Sequence, residues 1–185
     1  MMTIIKHYIF QGRIMSGPFK GIRVLELTST VSGPFAGMML ADQGAEVIKV
    51  EPPGLGDLAR FMGTIKDGMG AMFSTLNRNK KCICLDFKND EDLAVLKKLV
   101  STTDVIIENY RPGIVKKLGI DYETLVKINP DLIYCSISGY GQSGPYQEKK
   151  VYDPLIQGTV GIPNAQSDKF PELIRTIIYD KVTGL

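Results

Sequence analysis

From Ile22 onward, short β-branched runs alternate with longer stretches in which apolar residues recur at helical spacing. That alternation predicts an α/β domain built on a mainly parallel sheet. Ile22 to Leu27 reads as a first strand, Pro34 to Gln43 as a helix closed by Gly44, and Glu46 to Val50 as a second strand. The stretch Pro52-Pro-Gly-Leu-Gly-Asp57 ends that strand and begins an excursion across the surface. Ile83 to Phe87 reads as a further strand, Glu91 to Val100 as an amphipathic helix, and Asp104 to Ile107 as a buried strand. Short helices around Ile114 to Leu118 and Tyr122 to Ile128 precede a last strand, Leu132 to Ile137. The expected fold is a Rossmann-like, doubly wound, mainly parallel sheet.

A sheet of this kind binds its ligand outside the carboxyl ends of its strands. The loops 28–33, 52–57, 109–113 and 139–145 then share one rim. The dinucleotide fingerprint needs three glycines, and Thr28-Ser-Thr-Val-Ser-Gly33 has one, which argues against a nicotinamide dehydrogenase.

Composition narrows the picture. The 185 residues fit one ordinary domain with chain enough to bury a core. A net charge of +2, with basic residues interspersed among acidic ones, argues against a nucleic-acid or membrane partner. No segment reaches the roughly 20 apolar residues needed to cross a bilayer. Residues 1–14 mix Lys6, His7, Gln11 and Arg13 with apolar residues; they read as a poorly ordered leader or a mis-called start, with 15–185 as the body. Cys82, Cys84 and Cys135 lie in strand-like runs, the first two on one face, with no second His/Cys pair to complete a tetrahedral metal site. They read as buried, reduced thiols of a cytoplasmic protein, with no metal.

The only histidine, His7, lies in the leader, which removes Ser-His-Asp and Cys-His arrangements from the body of the chain. The apolar run ending in Tyr134-Cys-Ser-Ile-Ser-Gly-Tyr-Gly-Gln-Ser-Gly-Pro145 leads into a loop whose glycines let backbone approach a ligand closely. Tyr152-Asp153, Tyr179-Asp180 and Thr183-Gly184 follow. An aspartate of ordinary pKa, about 3.9, is ionised at neutral pH and attacks an activated carbonyl without a base. Asp180 is the candidate nucleophile. From spacing alone it is equally a turn or capping residue, Asp153 a cap of the following helix, Tyr152 a side chain packed on the sheet, and Lys116-Lys117 a solvated face.

Six segments in order carry a resemblance: Gly21-Ile-Arg-Val-Leu-Glu-Leu27, Gly33-Pro-Phe-Ala-Gly37, Gly44-Ala-Glu-Val-Ile-Lys-Val-Glu51, Asn77-Arg-Asn-Lys-Lys81, Glu108-Asn-Tyr-Arg-Pro-Gly113 and the Tyr134–Asp180 series. Together they resemble the class III coenzyme A transferases, the formyl-CoA transferase and carnitine/bile-acid CoA transferase family. The match runs from about Pro18 to the last residue; members are considerably longer, so the chain resembles an amino-terminal part of their large domain.

The resemblance implies transfer of CoA from an acyl-CoA to a small free carboxylic acid. The aspartate matching Asp180 forms first an acyl anhydride and then an aspartyl-CoA thioester. It implies no tightly bound cofactor, CoA being substrate, and an intertwined homodimer for a full-length chain. CoA contacts are implied for Val31 and Ser32; for Leu85, Asp86, Phe87 and Lys88; for Asn109, Tyr110, Arg111 and Lys117; and for Lys150, Val151, Tyr152 and Asp153. Where some members carry a CoA-binding arginine this chain has Pro52, so that loop contacts phosphate only if Arg60 reaches back. Val31 replaces the glutamine of formyl-CoA transferases, which points away from formate and oxalate. Racemases of the superfamily carry a histidine where Tyr152 stands, and a phenol is a poor base at neutral pH, which favours transfer over racemisation. A non-catalytic fragment that binds the nucleotide half of CoA is the alternative.

Overall fold

A computed structural model describes residues 17–167 and 169–185; the leader 1–14, with His7, lies outside the described residues. Five parallel strands form one sheet in the order β5-β2-β1-β6-β7. They are β1 (Arg23–Leu27), β2 (Glu46–Glu51), β5 (Lys81–Cys84), β6 (Val105–Glu108) and β7 (Ile133–Ser136). Helix α1 (Ser32–Asp42) connects β1 to β2, and α3 (Asp90–Val100) connects β5 to β6. The chain therefore winds outward from β1 one way, then crosses to β6 and winds the other way. The crevice between β1 and β6 is the topological switch point where such sheets bind ligands.

Strand periodicity sorts the side chains to two faces. Leu25, Leu27, Val50 and Ile106 point to one face and pack with Leu96 and Val100 of α3, with Ile120, and with Leu125 of α5 (Tyr122–Leu125). Val24, Val47 and Ile107 point to the other and pack under α1 with Ala41. Both ends of α3 and the carboxyl end of α1 are well made. Asn89 caps α3, its Oδ1 accepting from Glu91 N at 2.8 Å, with Asp90, Glu91 and Asp92 in the first turn and Lys97 and Lys98 in the last, as the helix dipole favours. Gly44, at φ +98°, ends α1 as expected.

α1 sits unusually close to β1 because its sheet-facing positions are glycines. A Cβ on Gly33 would lie 2.3 Å from the Thr28 side chain, and one on Gly37 2.0 Å from Glu26 Oε2. This closeness brings the helix amino terminus down onto the rim.

Between β2 and β5 the excursion is structured: a 3₁₀ turn Leu58–Phe61, a small hairpin of β3 (Ile65–Lys66) and β4 (Met69–Gly70), and α2 (Ala71–Leu76). After β6 come α4 (Ile114–Lys117) and α5; after β7 come α6 (Asp153–Thr159), α7 (Ile162–Gln166) and α8 (Ile178–Thr183).

The three thiols correct the expectation of burial: Cys82, Cys84 and Cys135 are all exposed. α1 covers the middle strands, whereas β5 and β7 are edge strands whose α1-side residues project past it. Ile133, beside Cys135, is 63% exposed for the same reason.

Candidate functional site

All four expected loops follow carboxyl ends of strands, and contacts tie three of them together. Ser29 N donates to Asn109 Oδ1 at 3.0 Å, and Asn109 Nδ2 donates back to Ser29 O at 2.9 Å. Thr30 N donates to Asp57 Oδ1 at 2.9 Å.

Beneath these loops lies a charge network that sequence reasoning did not find. Lys49, fully buried, donates to Glu26 Oε1 at 3.0 Å and Thr28 O at 2.8 Å, and its ammonium lies 2.9 Å from Asp57 Oδ2. Lys80, also buried, lies 2.7 Å from Glu26 Oε2 and donates to Pro34 O and Asn77 Oδ1. Burial pulls Lys80 down to about 8 against the attraction of Glu26. A signal existed: Glu26 and Lys49 interrupt apolar strands at inward-facing positions, which a charge tolerates only when paired.

Two clefts open on the rim. The smaller, about 140 Å³, is lined by Glu51, Pro52, Leu85, Asp86, Phe87, Lys88, Tyr110 and Leu118. It gathers the whole 85–88 segment with Tyr110. Arg111 and Lys117 are exposed nearby in sequence, Lys117 immediately before Leu118. Asn109 is engaged with the loop after β1. Arg60 does not reach back: it forks onto Glu51, with Nε 2.7 Å from Oε2 and Nη2 2.6 Å from Oε1, and its guanidinium stacks 3.8 Å over the Phe73 ring.

The larger cleft, about 780 Å³, lies between α1, α2, α6 and the approach to α8. Val31, Phe35, Met72, Asp153, Arg175 and Lys181 are among its walls. Asp153, 4% exposed, does not cap its own helix, in which it is the first residue. Its Oδ2 accepts from the backbone N–H of Tyr179 at 2.5 Å and of Asp180 at 3.2 Å, and its Oδ1 from Gln157 Nε2 at 2.6 Å. Gln157 Oε1 in turn accepts from Ile174 N at 2.8 Å. The first turn of α8, which carries Asp180, thus hangs on one buried carboxylate.

At its other end α8 rests on α1: a Cβ on Gly184 would meet Ser32 O at 2.7 Å and the Phe35 ring at 2.8 Å. Ile177 and Lys181, flanking Asp180, line the larger cleft. Asp180 is half-buried, and burial, then the neighbouring Asp153 charge, push its carboxyl above the usual carboxylate range.

The expected residues fall into two groups. Val31 and Asp153 line the larger cleft, with Asp180 tied to Asp153 and Ser32 under the end of α8 at Gly184, and Leu85 to Lys88 meet Tyr110 in the smaller slot. Lys150 and Tyr152 are exposed, Tyr152 at 69%, while Val151 packs so closely on Gly139 that a Cβ there would lie 2.3 Å from it. Among the described residues no cluster of His, Cys, Asp or Glu is arranged to hold a metal, and no helix is long and apolar enough to cross a membrane.

An α/β switch-point sheet with clefts outside the carboxyl ends of its strands and a helix-borne carboxylate beside one of them defines a doubly wound α/β domain. Comparison with known proteins narrows it: the profile of CoA-transferase family III matches residues 19–185. The chain belongs to CoA-transferase family III. It is 44% identical to the acetyl-CoA:oxalate CoA-transferase of Acetobacter aceti over 84% of this chain and 40% of that protein. It is 43% identical to the succinate–glutarate CoA-transferase of Agrobacterium fabrum over 91% of this chain and 44% of that one. A solved CAIB/BAIF family protein from Brucella suis superposes with a TM-score of 0.87 at 42% identity, covering 92% of this chain and 47% of that one. The chain therefore spans less than half the length of these relatives.

Proposed function

We propose that the protein moves CoA from an acyl-CoA to a free carboxylic acid through Asp180. The Asp180 carboxylate attacks the thioester carbonyl and expels CoA thiolate, leaving an acyl-aspartyl anhydride. The thiolate then attacks the aspartyl carbonyl, releasing the donor acid and leaving an aspartyl-CoA thioester. The acceptor carboxylate reverses these steps, so one thioester replaces another and no ATP is consumed. The nucleotide end of CoA occupies the slot formed by Leu85 to Lys88 and Tyr110, with Arg111 and Lys117 available to its phosphates.

The observation that carries this reading is the suspension of the first turn of α8 from Asp153. It holds a partly desolvated carboxylate beside the larger cleft, where its weakened hydration favours attack on carbon. Because relatives act on succinate and glutarate, succinyl-CoA and glutarate are the first pair to try. Exchange of labelled glutarate into CoA thioester without ATP supports the proposal; its absence under conditions in which CoA binds would refute turnover by this chain.

A second reading, binding of CoA without turnover, is favoured by the exposure of Tyr152 to solvent and the open larger cleft. Binding measured without exchange would select it. The transfer reading also carries with it a homodimer, checked by light scattering, and a reducing, cytoplasmic setting, with which three exposed free thiols agree.

A further inference from the structure

The Pro52–Asp57 loop offers no free cation to a phosphate, since Pro52 has none and Arg60 is occupied by Glu51. It nevertheless ends in a side chain that is 1% exposed. We propose that Asp57 is a positioning residue: held by Lys49, its carboxylate fixes the backbone of the loop after β1, which carries Val31 into the wall of the larger cleft. The inference rests on the transfer reading above.

Three observations converge on it. First, Asp57 Oδ1 accepts from Thr30 N and from Ala59 N, both at 2.9 Å, while Oδ2 lies 2.9 Å from the Lys49 ammonium. Two N–H donors thus share one oxygen while a cation faces the other, and a carboxylate is the side chain that meets both demands. Second, Thr30 has φ +72°, a left-handed backbone that a β-branched residue adopts only when its surroundings impose it. The Asp57 bond to its N–H is what holds that peptide. Third, the same short loop is pinned at the two residues before Thr30, at Thr28 O by Lys49 and at Ser29 by both ends of the Asn109 amide. Val31 follows directly, is 4% exposed, and accepts at its carbonyl from Phe35 N at 2.7 Å as α1 begins. A loop clamped at three successive residues, Thr28, Ser29 and Thr30, with the strained one last and Val31 next, is preorganised. Its clamp is built from the loops after β2 and β6, so the geometry of the cleft wall is set from the buried side.

Asp57→Asn is the direct test, because an amide supplies one acceptor oxygen: either Lys49 or the two backbone N–H groups must then face an NH₂ group. Two readouts are needed. Amide hydrogen exchange over residues 28–32 should accelerate at least tenfold while α3 (90–100) stays unchanged. The rate of Asp180 labelling by saturating succinyl-CoA should fall at least tenfold with KM shifted less than threefold. Adding Thr30→Gly, which removes the cost of the left-handed backbone, should recover at least threefold in rate. Exchange at the wild-type rate in 28–32, exchange raised equally in α3, or an undiminished labelling rate would each overturn the proposal. If Asp57→Asn does not fold, Thr30→Pro leaves Asp57, Lys49 and Ala59 intact while deleting the N–H and forbidding the left-handed backbone. The same fall in labelling is expected there, and normal labelling would overturn the idea. Should the wild-type protein itself show no label at Asp180, the transfer reading fails, and the exchange comparison still decides whether Asp57 orders the loop.

Discussion

At the scale of single residues, Asp180 and Asp153 carry opposite burdens. Burial and the Asp153 charge raise the Asp180 carboxyl in the folded state, so the folded protein binds that proton more tightly than the unfolded chain does. The linked stabilisation is present below the unfolded pKa, about 3.9, and is lost as pH rises through the raised folded value. Asp180→Asn should therefore melt no lower than wild type at pH 7, with its relative advantage shrinking toward pH 3, and should give no exchange; calorimetry across that range checks the sign. Asp153→Ala removes the acceptor from two N–H groups at the start of α8 and should cost about 1–2 kcal/mol in urea unfolding, as lost helix caps do, together with most of the activity. Asp180 and Asp153 could be singled out in the sequence as candidates, but the contact between them could not. The two N–H groups that Asp153 serves are 26 and 27 positions away, and no local pattern announces a cap reaching from one helix to another. The Glu26, Lys49, Asp57 and Lys80 network was missed for a similar reason: its members lie on separate elements, so the charges that interrupt apolar strands at Glu26 and Lys49 do not name their partners.

At the scale of elements, the strands were readable because β-branched runs flanked by turn residues have few other ways to bury themselves. β5 moved, from an expected 83–87 to Lys81–Cys84. It pairs on one side only, so its apolar content does not fix its ends, and Leu85 to Phe87 turn out to form the rim slot instead. The β3–β4 hairpin was overlooked although Asp67-Gly68, at φ +52° and +79°, is the turn dipeptide that two-residue hairpins favour. With strands of two residues each, the flanking alternation was too short to see. α1 yields the clearest element-scale prediction. Gly37→Ala places a methyl group onto Glu26 Oε2, which cannot withdraw without leaving Lys80, so the helix must lift; a loss of about 1–3 kcal/mol by urea unfolding is expected. A neutral outcome would mean that α1 and the sheet tolerate separation at the switch point.

At the scale of the whole molecule, the sheet order and its crossing between β1 and β6 put the loops after β1, β2, β5 and β6 at the carboxyl ends of the strands, and that much followed from the alternation of strands and helices. Exposure of β5 and β7 on the α1 side did not, because a single helix spans three strands and the pattern of a parallel strand is the same whether or not a neighbour covers it. Ligand binding is the global readout. At a free CoA concentration 100 times its dissociation constant the protein should gain about 2.7 kcal/mol of stability. Arg111→Glu with Lys117→Glu should abolish most of that gain without changing the stability of the free protein. The central claim is tested most directly by incubating the protein with succinyl-CoA, quenching with hydroxylamine, and mapping the modified peptide by mass spectrometry. A hydroxamate on Asp180, absent from Asp180→Asn, is the predicted result. An unmodified Asp180 in protein shown to bind CoA would contradict the account.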